Sequence, residues 1–362
     1  MAQAAVGPPH NPNNDLEMAN APDDSVSSMR FCPSDTLDYL VVGAWDQTTR
    51  VYNVDPMSGQ SEQKMVFPMD APVLDVAWHA DCSKVFAAGC NKQTHMFDLG
   101  TGQSMPVAMH DQPIKTIRYL TEPGLLMSCG WDRMVKFWDL RSPNCINQLQ
   151  LAERVYAADA VYPMAVVATA DRHVNLIDLR QPSADWRQET SLKYQTRCVA
   201  VFPQANGYAI GSIEGRVAVN YPEFAADDKR NFSFKCHRLN EGRLNDGQTR
   251  DDVYAVNSIV FHPTYGTFAT TGSDGCFFFW DKDSRQRLKP FNRANQPIPC
   301  SSFNGAGNVF AYAVSYDWSR GIDGASNQRP HLLLHSVRPD EIRPKPAPAA
   351  QPPSYLKSGG RR

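Results

Sequence analysis

The sequence predicts an all-β ring of seven four-stranded blades. Three observations carry that prediction: a turn residue that recurs at a near-constant interval, apolar runs on both sides of it, and no helical periodicity of useful length. The turn residues are Asp46, Asn91, Asp132, Asp171, Glu214, Asp274 and Asp317, separated by 39 to 45 residues in every step but one, which is 60. Before each turn runs a strand such as KVFAAG, LLMSCG, AVVATA or TFATTG, and after it another such as RVYNV, VKFWDL or FFFWD. Neither flank shows the polar alternation of a half-exposed sheet, which is the pattern of a sheet covered on both faces by its neighbours.

Each element of the ring follows from this register. Six residues past the turn stand Tyr52, Phe97, Trp138, Ile177, Asn220 and Trp280, apolar in five of six cases, so the third strand of each blade begins in the same frame. Pro and Gly punctuation in HPTYG, TEPG and NGAG falls at hairpin positions. Seven turns give seven blades, a seven-bladed WD-repeat β-propeller over residues 15–340. Its last blade is begun by PIPCSSF and VFAYAVS, and its outer strand is expected from DLEM at residues 15–18. The flanks, residues 1–14 and the Pro-rich 341–362, are expected to be disordered. The long step places an extended polar loop, HRLNEGRLNDGQTRDD, between blades five and six, and a second loop follows Asp317.

Composition excludes several classes. With 36 basic and 38 acidic residues the net charge is −2, so any nucleic-acid site must come from a local patch. No apolar run is long enough to span a bilayer, and the first residues lack the plan of a secretory signal, which gives the expectation of a soluble intracellular protein. Nine dispersed cysteines without a Cys-x-x-Cys pair predict reduced thiols and no metal or other cofactor. Walker, dinucleotide and zinc-protease motifs are absent from the sequence, and no enzymatic activity is expected.

Four groups of residues carry chemistry. His110, Ser128, Asp132 and Trp138 match the structural tetrad of a WD-repeat blade; read instead as a hydrolase triad, the set lacks the nucleophile elbow. The pair Cys236-His237 is read as a strand end rather than a metal ligand. Trp138, Asp139 and Arg141 spell a Trp-Asp-x-Arg box, which in WD-repeat substrate receptors docks the adaptor of a cullin-type ubiquitin ligase, or else an ordinary strand end. The fourth group begins with GCFFFWDKDSRQRLK, residues 275–289. In an extended strand Phe277 and Phe279 point one way and Phe278 and Trp280 the other, so burial between blades accounts for the aromatic run. The continuation to residue 293 holds five basic and two acidic residues. With Arg216, Phe234 and Lys235 from the preceding blade, it composes an aromatic and cationic groove of the kind that binds single strands. The competing reading is a solvated charged rim.

The stretches PVLDVAW, KVFAAG, WDRMVKFWDLRS, YPMAVVATA, GSIEGRVAVNY, NFSFKCHR, YAVNSIVFHPTYGTFATTGSDG, FWDKDSR and SYDWSRG resemble the RNA export factor family of nuclear-pore-associated WD-repeat proteins. The spindle-checkpoint WD-repeat family, a sister, shares KCHR and GSDG. The resemblance implies a non-enzymatic hub for mRNA export that captures a hairpin-like segment of a GLFG-repeat nucleoporin and binds single-stranded RNA. It also implies residence at the nuclear envelope, with cytoplasmic and mitotic-spindle roles and spindle-checkpoint partners. In that family the RNA groove is lined by positions matching Arg216, Phe234, Lys235, Trp280, Lys282, Arg285 and Arg287. Arg287 stands where family members carry Lys, and Met69-Asp70 where a blade-two His is expected.

Overall fold

The computed structural model describes residues 8–182, 185–222, 230–243, 249–325 and 328–345. Seven four-stranded antiparallel sheets follow one another around a central channel, spanning residues 26–68, 73–109, 114–150, 155–189, 196–235, 256–290 and 301–336. The fourth strand of the last sheet is Leu16–Glu17 from the start of the chain, with Leu16 opposite Leu334 and Glu17 opposite Leu333. The core lies between blades, in clusters that draw residues from neighbouring sheets. Phe277 and Phe279 are fully enclosed and share a cluster with Phe310 and Tyr312 of blade seven. Truncating a ring so enclosed to alanine costs about 3–5 kcal/mol.

The innermost strands repeat an irregularity. In six blades the register slips by one residue near the start of the strand, leaving Ser27, Leu74, Lys115, Tyr156, Arg197 and Asn257 without a partner across the pair. Such a bulge re-aims the side chain of the extra residue. Here all six line the mouth of the channel.

Three expectations are corrected. The polar stretch between blades five and six is not a plain loop: Arg238–Arg243 and Thr249–Val253 pair as a two-stranded ribbon, while residues 244–248 lie outside the described residues. The N-terminal flank is placed from residue 8 onward, because loop backbone groups need partners that it supplies: Asn295 donates to the Pro9 carbonyl at 3.1 Å and the Asn292 N–H to Asn13 Oδ1 at 2.9 Å. The Pro-rich end begins with a short helix, Pro339–Ile342, whose Glu341 and Ile342 are buried. Arg343 and Lys345 then donate to Tyr265 and Gln286. Residues 1–7 and 346–362, the remainder of both flanks, lie outside the described residues.

Closure of the ring is electrostatic as well as backbone-paired. Asp15 accepts from Tyr312 Oη at 2.6 Å and lies 2.7 Å from His335 Nδ1, whose Nε2 is 3.1 Å from Glu341. Burial alone would lower the His335 pKa, but the hydrogen bond and charge of Asp15, reinforced by Glu341, outweigh it and hold the imidazole above its ordinary value of 6.5. A group whose folded pKa is raised contributes stability that is complete below the unfolded value and disappears as pH rises through the folded one. The gap in melting temperature between wild type and His335→Gln is therefore expected to be widest near pH 6 and to narrow as pH rises beyond 6.5. A gap that stays constant across that window removes the linkage.

Candidate nucleic-acid interface

Blade five ends in the strand Phe232–Lys235, where Phe232 and Phe234 are half-buried and Ser233 and Lys235 exposed. The alternation follows from the two-residue period of a strand with one covered face. Across the pair, Val217 lies opposite Phe234 and Arg216 opposite Lys235. Blade six presents Phe277–Asp281 with the inverse pattern: Phe277 and Phe279 face blade seven, leaving Phe278 and Trp280 half-buried on the side of blade five. Phe278 is thus not the enclosed core ring that the aromatic run suggests; its edge meets the His237 ring at 5.0 Å.

The two blades meet ring to ring. Phe234 and Trp280 lie 4.5 Å apart between centroids at an interplanar angle of 46°, and Phe232 continues the line at 6.1 Å from Phe234. Cations cover the rings. The Arg285 guanidinium sits 4.6 Å over Phe232, Arg287 5.5 Å over Phe278, and Lys282 Nζ 5.3 Å over the buried Phe202. Arg287 is opposite Trp280 in the register of blade six. The turn that presents Arg285 is held by Asp281, whose carboxylate accepts from the Asp283 N–H at 3.0 Å and from Ser284 Oγ at 2.7 Å. Arg285 itself takes a left-handed backbone, φ 57°.

The seven predicted groove residues do not all face solvent alike. Phe234, Trp280, Arg285 and Arg287 come together at the blade boundary. Lys235 stands about 10 Å along the strand from Phe232 at the usual rise, with Arg216 opposite it, and the two-residue alternation puts both on the face turned away from Phe234. Lys282 is withdrawn: its side chain is only 11% exposed and its ammonium pairs with Asp283 at 2.8 Å. Sequence reasoning missed Phe232, Phe202 and Tyr221. Burial raises the Tyr221 hydroxyl above its ordinary pKa even though Lys282, Arg230 and Arg285 pull it down, which places that ring among the same cations.

Trp280 has a second duty. Its indole N–H donates to Thr270 Oγ1 at 2.9 Å; Thr270 lies 3.0 Å from His237 Nε2, and His237 Nδ1 is 2.8 Å from Asp274. This is the relay that blade three builds from Trp138, Ser128, His110 and Asp132, at 2.8, 2.7 and 2.9 Å. Both relays are buried, and both need a glycine: a Cβ on Gly130 or Gly272 would fall within 2.6 Å of a histidine ring atom. His237, read from sequence as a strand end, is therefore the tetrad histidine of blade six. The ribbon concealed it by widening the His-to-hydroxyl spacing from 18 residues to 33. Blade two has no such relay among its described residues: Met69 fills the histidine position and packs in an apolar cluster with Phe97.

Arg141 stands apart from the groove. Its side chain is 87% exposed and clasps Asp139 through Nε and Nη2 at 2.9 and 2.8 Å, holding that carboxylate down to about 2. The same clasp recurs between Asp178 and Arg180 in blade four, so it belongs to the strand-end turn of Asp-Leu-Arg and is not special to Trp138, Asp139 and Arg141.

Comparison with known proteins agrees with this architecture. The family described as WD domain, G-beta repeat matches residues 17–53, 106–139 and 246–281. The Poly(A)+ RNA export protein of Schizosaccharomyces pombe is 45% identical over 338 residues, covering 92% of this chain and 93% of its own. Protein Rae1 of Drosophila melanogaster is 45% identical over 341 residues, 92% of this chain and 96% of the relative. The mRNA export factor of Xenopus tropicalis is 46% identical over 345 residues, covering 93% and 92%. At this identity over nearly the whole of both chains, the protein belongs to the mRNA export factor family of WD-repeat propellers.

Proposed function

We propose that the protein serves mRNA export at the nuclear envelope as a binding hub rather than a catalyst, and that it holds single-stranded RNA along the boundary of blades five and six. The observation that supports this most directly is the line Phe232, Phe234, Trp280 flanked by Arg285 and Arg287 from the neighbouring blade. Bases stack on such rings without sequence demand, and cations neutralise the phosphates between them. Phe234→Ala is expected to weaken binding of a short single-stranded RNA by about 1–3 kcal/mol, roughly 5- to 150-fold, with little change in salt dependence. Fluorescence anisotropy at two salt concentrations reads it. Wild-type affinity in the folded variant removes the stacking site.

A second surface supports docking of a hairpin-like nucleoporin segment. At the mouth of the channel Trp45 and Trp318 stack at 4.5 Å, and Trp131, Ile213 and Val253 are each 40% exposed or more. Exposed apolar side chains gathered on one face mark a protein-binding site. Changing Trp131 to Ala together with Ile213 to Asp is expected to reduce affinity for a GLFG-nucleoporin hairpin peptide more than tenfold, measured by calorimetry, while RNA binding is unchanged. Equal loss of both ligands would mean a folding defect.

A further inference from the structure

The central channel carries a charge imbalance that lies outside the RNA groove. Its cavity, about 470 Å³, is lined by the side chains of Arg30, Lys115, Arg118 and Arg197 against Asp75 and Asp159, an excess of two positive charges. Both carboxylates are already engaged. Asp75 accepts from Ser28 Oγ, from the Ile117 N–H and from Arg118, at 2.7, 3.0 and 2.7 Å. Asp159 accepts from Arg118 at 2.8 Å and from the Val201 N–H at 2.9 Å. Arg118 is thereby saturated from both sides, and the excess rests on the other three cations.

Two of those three make no side-chain hydrogen bond or ion pair among the described residues. Among the described residues, Arg30 Nε is buried without a hydrogen-bond acceptor, and the Lys115 ammonium makes neither a hydrogen bond nor an ion pair. Arg197 reaches the Asn257 amide oxygen at 3.2 Å and the Asp317 carbonyl at 2.8 Å, at the rim. The strand bulges aim Lys115 and Arg197 into this space. Burial, then repulsion from Arg118, holds Arg30 below its ordinary pKa. Burial does the same to Lys115, with Arg197 and Arg118 adding repulsion that Asp75 only partly offsets. Cations left under-neutralised in a partly buried channel are costly unless an anion or water joins them.

We propose that the channel binds a small phosphate-class dianion between Arg30, Lys115 and Arg197. Two negative charges match the excess. The guanidinium forks suit an oxyanion, and hydroxyls of Ser258, Ser301 and Tyr156 line the same cavity as further donors. The volume is larger than a chloride ion needs, which favours a tetrahedral anion or a small phosphate ester over a halide.

The test uses the full chain and thermal unfolding at fixed ionic strength, with inorganic phosphate in one arm and O-phosphoserine in the other. Both should raise the melting temperature of wild type with a saturating concentration dependence. If only phosphate acts, the ligand is the free ion; if the ester acts as well or better, it is a phosphate ester. The double variant Arg30→Gln, Lys115→Met should lose the response. In phosphate-free buffer it should be at least as stable as wild type, because it removes the repulsion. A variant with Arg285 and Arg287 reversed should keep the response, which separates the channel from the RNA groove. Wild type that does not respond, or a double variant that responds equally, overturns the proposal. Should the double variant fail to fold, line broadening of phosphate by wild type in phosphorus NMR, and its loss in Lys115→Gln alone, decides the matter.

Discussion

His237→Ala is expected to destabilise the propeller by about 3–5 kcal/mol, the usual cost of removing one partner from a buried polar pair. The histidine is 1% and Asp274 2% exposed, so among the described residues the carboxylate would keep, in the interior, only the Cys276 N–H at 3.1 Å. Thr270 and Trp280 would lose the rest of the relay. Because Trp280 also forms the wall against Phe234, the same substitution is expected to weaken RNA binding under conditions where the fold survives. Urea unfolding followed by circular dichroism measures the first effect, with His110→Ala as the matching change in blade three. A loss below about 1 kcal/mol would show that the relay is not structural.

Reversing Lys235, Arg285 and Arg287 to Glu is expected to abolish most single-stranded RNA affinity. Each phosphate contact on a single strand contributes about 0.7 to the slope of log affinity against log salt, so three contacts removed flatten it by about 2. Lys282 is left out of this set because its pairing with Asp283 and its burial over Phe202 give it a structural share. Nucleoporin-peptide affinity should remain at the wild-type level, since none of those cations lines the channel mouth. An unchanged slope in the folded triple variant returns the stretch to a solvated rim.

The ring was legible in sequence because each blade repeats one turn residue and one apolar frame, and the His110 relay because its four members fall within a single uninterrupted blade. The matching relay at His237 was hidden by an insertion that separates the histidine from its hydroxyl, and spacing is the only signal a lone sequence offers for such a set. Phe234 was placed beside blade six from the order of the blades, and Trp280 entered the groove through the family resemblance. What alternation cannot supply is depth. Lys282 and Arg285 differ by three positions in one turn, yet one is folded back over Phe202 and the other lies over Phe232. The channel cations escaped notice for a related reason: Arg30, Lys115, Arg118 and Arg197 come from three blades and meet only when the ring closes.

Closure also sets an order in time. Asp15 and His335, which meet across the last blade, are 320 residues apart in sequence. At a synthesis rate of about 5–20 residues per second, the first strand waits roughly 15–60 s for the partner it will pair with. Six blades can be complete while blade seven has no outer strand. Until Leu16–Glu17 arrives, the strand His331–Ser336 is an open edge able to pair with the same segment of another chain. The nascent protein is thus most exposed to swapping its first strand with a neighbour on the same polysome, and a single closed ring depends on winning that competition within its own chain.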